Sequence, residues 1–206
     1  MSTAASPQAS DRPASPAQPS RPPGRWAVVV MGVSGTGKSS VAEGIAAALG
    51  LACVDGDHLH APESVAKMKA GTPLCDADRW PWLDRIGACL CDAAAEPAGV
   101  AVSCSALRRA YRDRLRAAAP HVRFVFLDGS PELIRTRMVA RRDHYMPPGL
   151  LDSQMQTLER PGFDEPGVLP VNIEAPLATV ISQAVALLRR AMIGERPLSN
   201  NPELKP

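Results

Sequence analysis

The chain has 206 residues, 45% hydrophobic and 21% charged, with a formal net charge of +2. This is the profile of one ordinary globular domain, and neither the near-neutral charge nor the 4% aromatic content argues for a nucleic-acid surface. No apolar run approaches the roughly 20 residues that span a bilayer, and five scattered cysteines without paired metal-ligand sets read as small hydrophobes of a reducing, cytoplasmic compartment.

Residues 1–24 are mostly Ala, Ser and Pro, with six of the 21 prolines, and predict a disordered tail. They lack the apolar stretch of a secretory signal. A single domain is expected over 25–193, followed by a flexible tail over 194–206.

The first strand is expected at 27–31, and "MGVSGTGKSS" follows it. Gly32-Val33-Ser34-Gly35-Thr36-Gly37-Lys38-Ser39 matches G-x-x-x-x-G-K-S/T in full, between a strand and a helix starting near Gly37. Glycines let such a loop turn successive backbone N–H groups onto a phosphate chain, and the helix N-terminus adds partial positive charge. Lys38 would reach the β- and γ-phosphates of a nucleotide, and the Ser39 hydroxyl would help hold Mg²⁺. A GTP switch would share this loop, but the chain has no N-K-x-D motif, and "DEPG" at 164–167 precedes a strand instead of following one.

A second strand is expected at 51–54, ending in "CVDGDHLH". Carboxyl ends of parallel strands open onto the ligand crevice. Asp55 there could order water around Mg²⁺ while Asp57 accepts a hydrogen bond from an attacking hydroxyl. The bland alternative is a turn, since Asp-Gly is a common turn pair. His58 and His60 have metal-ligand spacing, but Mg²⁺ prefers oxygen, so His60 reads better as a substrate hydrogen-bonding group.

Helices are expected from Pro62 and near Trp82, the latter with apolar residues at 82, 86 and 90. A third strand at 99–103 precedes a helix from Ala106, and a fourth at 122–127 precedes one from Ser130. A fifth at 168–173 precedes the last helix, from Ala175. This alternation predicts an α/β fold with a parallel sheet covered on both faces. Arginines cluster at Arg79, at Arg108, Arg109 and Arg112, and at Arg141 and Arg142. Guanidinium groups suit carboxylate and phosphate oxygens, although any one of these arginines could simply coat a helix. "RRDHYMPPGLL" falls where a mobile lid could close over the phosphates.

The stretches "MGVSGTGKSSVAE", "DGDHLHAPESVAKMKAGTPLCDADRWPWL", "CSALRRAYRDRLR" and "FVFLDGSPELIRTRMVARRDHYMPPGLLDSQMQTLE" together resemble bacterial-type gluconate kinases, within the small P-loop kinases that include shikimate kinases. The resemblance covers roughly residues 26–190. It implies ATP-dependent phosphorylation of D-gluconate at its 6-hydroxyl with Mg²⁺, in a doubly wound five-stranded parallel sheet with a small lid, often as a homodimer. It further implies ATP binding by residues 32–40 (Ser40 included) and Arg141. Acceptor binding is expected from Asp57, His60, Arg79, Ser105, Arg108, Arg112 and Gln154, and catalysis from Lys38, Asp57 and Asp55. Ser39, with Asp55 through water, would hold the metal. Arg108 stands where the family often has lysine, and Asp143 where it often has glycine. Among rivals, adenylyl-sulfate kinases follow "DGD" with Asn and Arg rather than "HLHAPESVAKM", and shikimate kinases carry a glycine run where this chain has "SCSAL".

Overall fold

A computed structural model describes residues 26–95, 98–140, 148–162 and 164–194. The expected tail at 1–24, nearly all of that at 194–206, and Arg141, Arg142 and Asp143 of the expected lid lie outside those residues.

Strand β1 (Ala27–Met31) is buried at all five positions. Successive side chains of a strand point to opposite faces, and here each face has its own core. Val28 and Val30 join one cluster; Ala27, Val29 and Met31 join the other. A strand apolar on both faces belongs in the middle of a parallel sheet. The observed order is β2 (Ala52–Asp55), β3 (Val100–Ser103), β1, β4 (Arg123–Asp128), β5 (Val168–Asn172), with every neighbouring pair parallel.

Helices α1 (Lys38–Leu49) and α7 (Leu177–Gly194) close the first face through Ile45, Val180 and Leu188. Helices α3 (Asp76–Ala95) and α4 (Arg109–Ala118) close the second through Leu83, Ile86, Tyr111 and Leu115. The parallel sheet covered on both faces that the alternation predicts is thus observed, in the doubly wound five-stranded form that the family resemblance implies. Numbered in chain order, α2 (Pro62–Lys69) follows a 3-10 turn at Gly56–Leu59, α5 is Pro131–Ala140 and α6 is Pro148–Thr157.

The helix expected near Trp82 begins earlier, at Asp76, because its first turn is polar and carries Asp76 and Asp78 at the positive end of the helix dipole. The helix expected from Ala106 begins at Arg109. Ala106 is buried and takes a left-handed φ of 42°, which holds the chain out of the helix for a few more residues. Helix α6 was not expected as a separate element; it begins at Pro148, within the expected lid stretch "RRDHYMPPGLL", whose prolines hide its start.

Register aligns the carboxyl ends of the strands. Asp55 pairs with Ser103, which sits beside Val30, and Asp128 pairs with Asn172. The edge where the phosphate loop leaves β1 therefore also carries the "DGD" turn and the β3–α4 connection.

Candidate active site

The loop after β1 takes the shape its glycines permit. Gly35 and Gly37 have φ of 87° and 92°, in the region that side chains resist. The Thr36 hydroxyl donates to the Val33 carbonyl at 2.8 Å, and Lys38 Nζ donates to the same carbonyl at 3.2 Å. At the start of α1, Gly37 offers no side-chain cap, and the first turn carries no acid. With no side chain covering it, the positive end of that helix dipole suits an anion. Gly32 N–H donates to the Ser105 carbonyl at 3.3 Å, tying the loop to the connection after β3.

Beside the loop, Ser39 Oγ donates to Asp55 Oδ2 at 3.1 Å. Asp55 Oδ1 accepts from the Asp57 N–H at 3.0 Å and from Ser103 Oγ at 2.9 Å. Partial burial alone would raise the Asp55 pKa, but these three donors outweigh it and hold the carboxyl below its ordinary range. The Ser39 hydroxyl and an ionised carboxylate form an all-oxygen pair of the kind Mg²⁺ takes beside nucleotide phosphates. Among the described residues no group of three or more His, Cys, Asp or Glu side chains could cage a metal.

The turn at Gly56–Leu59 aims Asp57, which is exposed. Its first residue must be glycine on grounds of space, since a Cβ on Gly56 would lie 2.3 Å from the Ser103 carbonyl oxygen. Trp82 Nε1 donates to the Gly56 carbonyl at 2.7 Å, and the Trp82 ring stacks on His60 at 4.3 Å between centroids. Burial holds the His60 pKa below its ordinary value, with Arg85 and Arg79 adding to the shift against an opposing Asp57 charge. The neighbouring Cys104 thiol is pushed up to about 12, mainly by burial, and it feels Asp57, Lys38 and Arg79 together.

Arg79 continues the cluster. Its Nη1 donates to Tyr111 Oη at 3.3 Å, and Tyr111 in turn donates to Asp76 Oδ1 at 2.5 Å. Asp76 Oδ2 accepts from Arg108 Nη1 at 2.8 Å, and both guanidinium groups flank the Tyr111 ring, at 5.6 and 5.9 Å.

Lys38, Ser39, Asp55, Asp57, His60, Arg79 and Arg108 are thus brought to one edge of the sheet, with Ser105 at the base of the phosphate loop. Two further expected acceptor residues are engaged by the protein itself. Arg112 is fully buried; it grips Glu165 through Nε and Nη2 and reaches the Ala106 and Leu107 carbonyls through Nη1, leaving no donor exposed to a ligand. Gln154 lies against the phosphate loop, where its Oε1 accepts from the Ser34 N–H at 2.8 Å. Arg141 is outside the described residues. The sequence reading missed Asp76 and Tyr111, although Asp76 stands three residues before Arg79 and Tyr111 three after Arg108. On the other side of β1, a cleft of about 450 Å³ opens between Asp128, Ser130, Arg160, Asn172 and Glu174.

A phosphate loop at the head of a 2-3-1-4-5 parallel sheet, with carboxylates and arginines gathered beside it, defines a P-loop kinase. A family model described as an AAA domain matches residues 28–161. The chain is 48% identical to a gluconokinase of Gluconobacter oxydans over 139 residues, 68% of this chain and 78% of the relative. It is 40% identical to the thermosensitive gluconokinase of Escherichia coli over 168 residues, 80% of this chain and 90% of the relative. The crystal structure of a gluconokinase from Sinorhizobium meliloti superposes with a TM-score of 0.74 at 45% identity, covering 84% of this chain and 98% of that one. The chain belongs to the gluconokinase family.

Proposed function

We propose that the chain transfers the γ-phosphoryl group of ATP to the 6-hydroxyl of D-gluconate, giving 6-phospho-D-gluconate and ADP. The observation that carries this reading is the junction of the phosphate loop with the acceptor side, where Ser39 Oγ donates to Asp55 Oδ2 at 3.1 Å and the Gly32 N–H donates to the Ser105 carbonyl at 3.3 Å. That junction supports a reading in which Lys38 serves the phosphates, Asp57 accepts the proton and Arg79 binds the carboxylate. The gluconokinases among its relatives supply the identity of the acceptor.

In this reading the backbone N–H groups of residues 32–40 hold the phosphates, and Lys38 follows the charge that grows on the transferring group. Ser39, with Asp55 through water, would hold Mg²⁺, which when bound would supply charge neutralisation to the nucleotide phosphates. Asp57 accepts the hydrogen bond, and then the proton, of the attacking hydroxyl. Arg79 and Arg108 bind the carboxylate at the far end of the substrate, and His60 bonds a hydroxyl between. We place the enzyme in the cytoplasm as a homodimer, the state the family resemblance implies.

Identifying the product tests the reaction. Incubated with ATP, Mg²⁺ and gluconate, the purified chain should yield a monophosphate whose phosphorus couples to the C6 methylene protons in NMR. A phosphate on another carbon, or ATP hydrolysis without a phosphorylated product, would overturn it.

A further inference from the structure

The acceptor cluster contains an anion that a site for a negatively charged substrate would not be expected to want. Asp76 lies between the two arginines, joined to Arg108 directly and to Arg79 through the Tyr111 hydroxyl. The Tyr111 ring is fully buried, which fixes the geometry, whereas the Asp76 and Arg108 side chains are 43% and 41% exposed and open to a ligand. Within this hydrogen-bonded group, two cations against one anion leave a single net positive charge.

We propose that Asp76 is a specificity-determining residue. It sets the charge of the acceptor cluster to match a monoanionic carboxylate and to disfavour a dianionic phosphate in the same place. The inference rests on the reading of the site as one for gluconate. Two unopposed guanidinium groups would prefer a phosphate, the dianion they fit bidentately. Specificity is a difference of affinities, and a fixed like charge penalises the dianion more than the monoanion. Asp76 also sits in the first turn of α3, where an acid stabilises the helix. That effect is the same whatever ligand is bound.

The test compares three acceptors that share a free 6-hydroxyl and differ at the other end: D-gluconamide, neutral; D-gluconate, one negative charge; and D-glucitol 1-phosphate, two. Wild type should rank gluconate first by kcat/KM. Asp76→Asn should raise the ratio of glucitol 1-phosphate to gluconate by about tenfold or more, the effect of one charge a few ångströms away at intermediate dielectric. Asp76→Glu should keep the wild-type ranking. Arg108→Gln, which removes a cation, should move the preference the opposite way, toward gluconamide, and gives a reading even where Asp76→Asn folds poorly. Because steric differences among the acceptors are common to all variants, the ratio of ratios isolates charge. A uniform loss across the three acceptors in both variants, or a shift toward gluconamide in Asp76→Asn, would overturn the proposal. Absence of gluconate turnover in wild type would instead overturn the functional reading beneath it.

Discussion

Single side chains divide the chemistry in ways that can be separated by mutation. Lys38→Ala should lower turnover on the order of a hundredfold or more with the fold intact, since its charge is aimed at phosphates and electrostatic stabilisation there is large. Near-normal turnover in the folded variant would contradict that. Asp57→Asn should depress kcat by about 10²–10⁴ while ATP affinity survives, because the amide keeps the shape but accepts a proton poorly. Asp55→Asn should instead raise the Mg²⁺ requirement, as it loses the charge that its three donors stabilise. Titrating both variants with Mg²⁺ and gluconate checks the division, and a swap of the two phenotypes would refute it. His60 adds a pH signature. Its folded pKa lies below the ordinary 6.5, so the unfolded chain binds the extra proton first as the pH falls. Stability present above 6.5 should therefore be lost as the pH drops through the window down to the folded value. Melting temperatures of His60→Gln should be flatter than wild type across that window.

Elements were legible where periodicity is strong and hidden where chemistry is non-local. All five strands lie within a residue or two of their expected positions, because apolar runs of four to six residues between helical patterns have few other readings. The phosphate loop was legible because its glycines and lysine do one job at one spacing. Helix α6 was not, since its prolines read as breakers, and neither was the start of α4, which depends on the strained Ala106. The role of Arg112 was also beyond the sequence: its partner Glu165 is 53 residues away, and only the fold brings them together. That pair pins the loop before β5 onto α4, with both side chains 1% exposed. Removing one partner strands a buried charge, so Glu165→Ala should cost about 3–5 kcal/mol in urea denaturation. Asp84→Ala, which breaks an exposed pair with Arg114, should cost about 1 kcal/mol or less. Equal costs would show that the buried pair is not what holds the loop.

At the scale of the whole molecule, one sheet edge does two tasks. The central strand delivers the phosphate loop, and the strands on one side of it deliver the carboxylates and the β3–α4 turn. The architecture alone would serve many acceptors, because fold does not determine substrate. In the proposed reading, the acceptor is selected by Asp57, His60, Arg79 and Arg108, together with Asp76 between the arginines. The most direct measurement is ADP release by the purified chain with Mg²⁺-ATP and, in parallel, D-gluconate, shikimate, adenylyl sulfate and AMP. Release should be saturable and fast with gluconate alone, falling to the no-acceptor rate with the other three. Turnover with shikimate, adenylyl sulfate or AMP that matches or exceeds that with gluconate would contradict the account.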